Sequence, residues 1–359
     1  LITAITGAEG YVGRAVARRV LESSDDEVLA LVHARNSEEL GVKRASLERE
    51  LGPNAARLRC RPLHLPDWDG SEDLDTAGIR YIVHSAAVTA FNVERARAEA
   101  VNVQGTAAVL RFARRCTALE RFALVSTIYS TGLRGGPIDE RAYGGECGFA
   151  NHYEWSKWSA EALLESELGD LPWQVHRLAT VLCDDGEGRV VQFNVVHKMW
   201  KLLYSGLLPL LPGAPETRLY FVTGQHAARS LVALMRGGPS KSFFHLSNSI
   251  DDAPSVRELL GLAFEAFTRD RDFARRRVLR PLFADEASFE RLADTAAKFS
   301  RDALGTVIAL MRPFAKQLFV QKAFSTELAS ALVPAFRPSW AELVPSTCAE
   351  LIASRWGLG

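Results

Sequence analysis

The tightest constraint on this chain comes at its start. Leu1 to Thr6 is a short apolar run rich in β-branched residues, Gly7-Ala8-Glu9-Gly10-Tyr11-Val12-Gly13 follows at once, and Arg14 to Leu21 has helical spacing. Strand, glycine-rich turn and helix in direct succession open a fold of alternating elements. Glycines there let the backbone turn sharply and approach a pyrophosphate, whose charge would rest on the amides and positive end of the following helix. Thr6, Gly7, Gly10, Tyr11, Val12 and Gly13 are therefore candidate cofactor contacts.

The alternation continues. A second strand, Glu27 to His33, ends without the Asp or Glu that would bind a ribose 2′-hydroxyl; His33 and Arg35 stand there instead, a basic end that suits a 2′-phosphate. Residues 37 to 51 have helical spacing, and Arg57 to His64 and Arg80 to His84 read as the third and fourth strands. The fourth runs into Ser85-Ala86-Ala87, small residues that leave room for a ligand beyond the strand end. A long helix is expected over Val93 to Cys116. Asn102 inside it is disfavoured by propensity, so it is either a tolerated surface residue or an amide with a task. A fifth strand, Arg121 to Ser126, delivers Ser126-Thr127 to the same sheet edge, a Gly-rich loop leads to a helix beginning at Tyr153, and Trp173 to Leu182 reads as a sixth strand. Such alternation makes a parallel, doubly wound α/β sheet.

Composition excludes several classes. Lys plus Arg and Asp plus Glu stand at 43 each, so no net charge steers the chain toward nucleic acid or an anionic membrane. Five scattered cysteines without a Cys-x-x-Cys argue against a disulfide framework or a metal site and fit a reducing, cytoplasmic setting. No signal peptide and no integral membrane segment is expected, although the chain opens at Leu1 rather than Met.

Tyr153 and Lys157 stand four residues apart, on one helix face. A tyrosine holds its proton to a pH of about 10, so it serves as an acid or base near neutrality only if a neighbouring cation favours the phenolate. Lys157 is the expected cation. Farther on, Val195 to Pro212 is strongly apolar but too charged and too broken by Gly206 and Pro209 to span a membrane. It reads either as core of a second subdomain or as a lid whose Trp200, Leu203 and Leu207 line a substrate's apolar part. Arg269 to Arg280 is rich in arginine, which suits a solvated helix face or a grip on a phosphorylated group.

Together Thr6-Gly7-x-x-Gly10-x-x-Gly13, Asn102-x-x-Gly105-Thr106, Ser126-Thr127 and Tyr153-x-x-x-Lys157 closely resemble the extended short-chain dehydrogenase/reductase family. His84-Ser85-Ala86-Ala87-x-x-x-Phe91, Tyr153-Glu154-Trp155-Ser156-Lys157-Trp158-x-x-Glu161 and Leu210-Leu211-Pro212-Gly213 are similar to the branch with fatty acyl-CoA reductases and thioester reductase domains. The resemblance covers about residues 1 to 250. It implies a Rossmann-type sheet over residues 1–183, with a further strand and helix near 220–247, and a smaller, mostly helical substrate-binding subdomain over 184–359. It also implies NADP(H), with NAD(H) an alternative, held by the glycine turn, His33, Arg35, Ala86, Ala87, Asn102, Ser126, Tyr153, Lys157 and Val181. Thr127, Tyr153 and Lys157 would be the catalytic set, with Lys157 on the nicotinamide ribose and Tyr153 supplying the proton.

The chain departs from the pattern at three places: His33 where the branch usually has arginine, Leu63-His64-Leu65 where Gly-Asp-Leu is common, and Thr223-Gly224-Gln225 where an Asp usually anchors the next helix. The implied activity is reduction of an acyl thioester, on coenzyme A or a carrier protein, to aldehyde or alcohol. A dehydrogenase or epimerase acting on a free hydroxyl or ketone is the alternative, and a cofactor sensor without chemistry ranks last.

Overall fold

The computed structural model describes residues 1–68, 74–299 and 303–357. Its strands are β1 (Ile2–Thr6), β2 (Glu27–Val32), β3 (Leu58–Pro62), β4 (Ile79–His84), β5 (Arg121–Thr127), β6 (Gly136–Ile138), β7 (Trp173–Leu178), β8 (Thr180–Cys183), β9 (Leu210–Pro212), β10 (Phe221–Thr223), β11 (Ser242–Leu246), β12 (Leu282–Ala284) and β13 (Lys322–Phe324). The α-helices are α1 (Tyr11–Ser23), α2 (Ser37–Leu51), α3 (Arg95–Ala98), α4 (Gly105–Arg115), α5 (His152–Glu167), α6 (Val195–Tyr204), α7 (Gly224–Gly237), α8 (Val256–Thr268), α9 (Arg271–Arg276), α10 (Glu286–Phe299), α11 (Ala303–Ala315), α12 (Glu327–Ser330) and α13 (Trp340–Ala353).

Seven strands form one sheet in the order β3-β2-β1-β4-β5-β7-β11, and every pairing in it is parallel. Ala4, Ile5, Ala30, Leu31, Ile82 and Val83 are all fully buried, as expected of parallel strands covered on both faces. The order reverses between β1 and β4, the switch point at which a doubly wound sheet opens a crevice beyond its carboxyl ends. This is the expected Rossmann-type sheet, followed by a mostly helical C-terminal subdomain.

Two elements differ from the sequence reading. The sixth strand breaks at Ala179: β7 stays in the main sheet, while β8 turns away and pairs with β10. Ala179 N still donates to Leu246 O at 3.1 Å, so the chain leaves the sheet only after it, carrying Thr180 and Val181 across the crevice. The loop before Tyr153 also has structure, a 3-10 turn at Ile128–Thr131 and then β6, which pairs in parallel with β13 near the end of the chain.

The C-terminal helices bury a second core in which α6 and α8 contribute Met199, Trp200, Leu203, Leu259 and Phe267, closed by Leu343, Val344 and Leu351 of α13. Among the described residues no helix is long and apolar enough to cross a membrane, and no group of three or more His, Cys, Asp or Glu stands close enough to hold a metal.

Candidate active site

The glycine turn is shaped by what cannot be added to it. Gly7 has φ +66°, and a Cβ there would lie 2.7 Å from Ala86 Cα; at Gly13 it would lie 2.3 Å from Gly7 O. Gly10 caps α1 with no side-chain bond, and the first turn of α1 holds no acid. Its leading amides therefore meet neither a capping oxygen nor a competing carboxylate, the condition under which a helix start takes an anion. The residues present fit a dinucleotide pyrophosphate.

Thr6 continues this cradle to the next strand. Its Oγ1 accepts from Ala86 N at 3.2 Å and is bonded to His84 Nδ1 at 2.7 Å, while His84 Nε2 reaches Thr106 Oγ1 at 3.0 Å. Burial, with Lys157 adding to it, pushes His84 down to about 3, so the imidazole is neutral and serves as a spacer. Asn102 does have a task. It sits in the π-helical Glu99–Gln104 segment between α3 and α4, accepts from Val88 N at 2.8 Å, and donates to Val88 O at 2.9 Å and Ser156 Oγ at 2.8 Å. One buried amide thus pins the segment after Ala87 to α5.

Helix α5 is started by Asn151, whose Oδ1 accepts from Glu154 N at 3.0 Å. On its inner face Lys157 donates to Val125 O at 2.6 Å, and Glu161 binds Arg177 Nη2 at 2.7 Å and accepts from Ser126 Oγ. Ser126, expected to touch cofactor, therefore gives its hydroxyl to the scaffold. Burial pushes the Tyr153 phenol well above its ordinary value; the Thr127 hydroxyl works against this, and Glu154 and Tyr129 add to it. Lys157, expected to hold that phenol down, is bonded to Val125 instead, and burial brings its own ammonium down to about 8 against the pull of Glu161.

A cavity of about 510 Å³ lies over these groups, within the usual range for a small-molecule site. The structure brings Tyr11, Val12, Ala87, Ser126, Thr127, Tyr153, Lys157 and Val181 to its wall. Tyr11 is held there by its bond to Asp184 Oδ1 at 2.8 Å, and Gly224 makes this possible: a Cβ would fall 1.8 Å from the Tyr11 hydroxyl. Thr223, in the segment lacking the usual Asp, caps α7 by accepting from His226 N at 3.3 Å.

The three substrate-wall residues lie elsewhere. Trp200 and Leu203 are buried in the helical core and Leu207 is exposed; none lines the cavity. Phe193, just before the same stretch, and Val195 and Lys198 at its start do, joined by Ala309 and Pro313 of α11. The apolar pattern marked the buried stripe of α6, whereas the cavity meets the beginning of that helix.

His33 and Arg35 stand at the end of β2, away from this wall. Arg35 pairs with Glu39 at 2.9 Å, Lys43 donates to His33 O at 2.6 Å, and His33 N donates to Glu9 Oε1 at 2.9 Å. The carboxylate missing from the end of the second strand in sequence is thus supplied by the glycine turn, which the strand's own sequence could not reveal. The sequence reading gives neither Phe91, which it quotes only within a motif, nor Phe314 a role in the site. Phe91 packs on Tyr153 with ring centroids 5.7 Å apart and on Phe314 at 6.2 Å.

Residues 69–231 match the model of an NAD-binding family described as Male sterility protein. The isonitrile lipopeptide synthase of Streptomyces coeruleorubidus is 30% identical over 249 residues, covering 65% of this chain; the chain spans 16% of that relative's length. The terminal R domain from the myxalamid PKS-NRPS biosynthetic pathway superposes with TM-score 0.77 at 19% identity, covering 99% of this chain and 91% of that one. UDP-glucuronic acid 4-epimerase from Bacillus cereus in complex with NAD gives TM-score 0.69 at 15% identity, covering 99% and 100%. At these identities the two structures speak to fold alone, and the sequence matches speak to kinship. Taken together they show a chain that binds NAD(P)(H), is similar in sequence to the lipopeptide synthase, and has a fold similar both to the PKS-NRPS R domain and to the NAD-binding epimerase.

Proposed function

We propose that this chain reduces an acyl group presented as a thioester, on coenzyme A or a carrier protein, to the aldehyde or onward to the alcohol. The observation that carries the reading is the cavity's lining, in which Phe193, Val195, Ala309 and Pro313 join Tyr11, Val12, Thr127 and Tyr153, with Gln192, Asn194 and Lys198 as polar groups beside them. An acyl chain suits the apolar part of that wall, and Gln192, Asn194 and Lys198 leave polar partners for the group that carries it. The relatives in lipopeptide and PKS-NRPS assembly, whose names concern acyl-bearing products, point the same way.

The bound dinucleotide supplies the hydride. Thr127 and Tyr153 hold the thioester's carbonyl oxygen between their hydroxyls, so that the negative charge developing there meets fixed donors. Tyr153 gives its proton to that oxygen, the carbon–sulfur bond then breaks, and the thiol leaves with the proton returned from the same oxygen, yielding the aldehyde. Lys157 keeps donor capacity beyond its bond to Val125 and would use it to hold the cofactor. NADPH is the expected donor because His33, Arg35 and Lys43 gather at the end of β2. Five cysteines without a disulfide among them suit a cytoplasmic setting.

Following reduced-nicotinamide absorbance with acyl-CoA thioesters, free aldehydes and ketones tests the proposal. Turnover of thioesters supports it. Turnover of ketones or secondary alcohols alone would favour the dehydrogenase or epimerase reading that the second structural likeness carries.

A further inference from the structure

The polar contacts at the start of α5 extend past Tyr153 into a part of the chain beyond the family match. Glu154 is 1% exposed, and Gln317 and Lys322 of the C-terminal arm are 8% and 7% exposed. Gln317 Nε2 donates to Glu154 Oε2 at 2.9 Å and to Gly132 O at 3.3 Å, and Lys322 Nζ donates to that same carbonyl at 2.5 Å. Gly132 closes the turn that Thr127 opens. It has φ +64°, and a Cβ there would fall 2.2 Å from Gly148 O, so only glycine fits that turn. On the other side Glu154 accepts from Ala150 N at 2.9 Å and from Asn151 Nδ2 at 3.1 Å, and Asn151 Nδ2 also donates to Pro313 O at 2.9 Å.

Buried charge is a poor way to gain stability, since an apolar pair of similar volume is often as good or better. Burial drives Glu154 up and Lys322 down, with each charge partly relieving the other. Their worth lies in where they attach. The Gly132 carbonyl belongs to the segment that begins with Thr127, and Glu154 directly follows Tyr153; Gln317 touches both.

We propose that Glu154, Gln317 and Lys322 are positioning residues: through Gly132 they clamp the segment carrying Thr127 against the helix carrying Tyr153, so that the C-terminal arm sets where the two hydroxyls meet one substrate oxygen. This rests on the proposed roles of Thr127 and Tyr153. Without the arm the two hydroxyls keep their chemistry and lose their common target.

The test uses Gln317→Leu and the double variant Glu154→Gln/Lys322→Met, which removes both buried charges together, with Tyr153→Phe alongside. Melting temperature, NADPH affinity by fluorescence titration, and kcat and KM with octanoyl-CoA and octanal are measured. Both variants are expected to lose at least about tenfold in kcat while KM and NADPH affinity stay within about twofold, and Gln317→Leu to do so without a matching loss of melting temperature. Wild-type kcat in either folded variant, a loss confined to KM, or a loss that merely follows the folded fraction would overturn the proposal. Failure of both variants to fold would assign the three residues to stability alone and overturn it too. An inactive Tyr153→Phe beside fully active clamp variants defeats the clamp only; an active Tyr153→Phe, or a wild-type protein that turns over neither probe, defeats the reading of the site and the clamp with it.

Discussion

Lys157 Nζ donates to the carbonyl oxygen of Val125 at 2.6 Å, which fastens α5 to the strand that ends in Thr127. Burial holds this ammonium at about 8. The charged form is present below that pH and lost above it, so any contact the ammonium makes with the cofactor ribose is lost on the alkaline side. NADPH affinity is expected to be flat below about pH 7 and to weaken through pH 8, by at most about tenfold per further unit. Fluorescence titrations across this range check it, with Lys157→Met giving weak binding and no alkaline limb. Weakening on the acid side only would contradict the assignment.

Glu9 accepts from the backbone of His33 at 2.9 Å and so sets a carboxylate at the end of β2, beside the residue proposed to take a 2′-phosphate. Glu9→Gln is expected to tighten NADPH binding by about tenfold, or about 1.4 kcal/mol, and to change NADH binding by no more than about twofold. Arg35→Ala should weaken NADPH selectively, because a charge-assisted contact is worth about 1.5–3 kcal/mol. Calorimetric titration of both cofactors reads both effects, and an unchanged affinity ratio in both variants would remove this corner from cofactor choice.

Asn102→Ala leaves the half-buried Val88 N–H and C=O without their partner, and Ser156 without its donor. Each orphaned group costs about 1–3 kcal/mol, so a loss of about 2–4 kcal/mol in urea unfolding is expected. A change below about 0.5 kcal/mol, the ordinary scale for a surface site, would show that the amide does not hold α5.

The elements legible in the sequence are those whose signal is local. Gly7, Gly10 and Gly13 are demanded by a turn between adjacent elements, and Tyr153 and Lys157 share a face because four residues make one helical turn. The break at Ala179 has no such mark: alanine neither forces nor forbids it, and β8 leaves the sheet because a distant partner, β10, pairs with it. Glu9 reads as an ordinary loop acid until the fold brings β2 beside it. Glu154 and Gln317 are 163 residues apart, and each taken alone looks like a surface residue. Trp200 and Leu203 show a further limit. Apolar spacing reveals that a helix face is buried, and the partner it is buried against is chosen by tertiary packing.

That packing redirects the expectation about the substrate wall. Phe193 lines the cavity and Leu207 stands exposed away from it. Phe193→Ala is expected to flatten the rise of affinity with acyl-chain length, where each methylene in contact is worth up to about 0.8 kcal/mol. Leu207→Ala should leave chain-length preference unchanged. Michaelis constants for acetyl- to palmitoyl-CoA, measured where they report binding, decide between the two, and a Leu207 effect without a Phe193 effect would reverse the placement.

Thioester reduction is tested most directly by single turnover: enzyme with bound NADPH is mixed with octanoyl-CoA, oxidation is followed by absorbance, and the products are identified by mass. The wild-type chain is predicted to form one octanal and release one free coenzyme A for each NADPH oxidised, octanol requiring a second NADPH, and Tyr153→Phe, with NADPH binding intact, to be slowed by at least about a hundredfold. Oxidation at equal rates in the two proteins, or oxidation without aldehyde or alcohol, would contradict it.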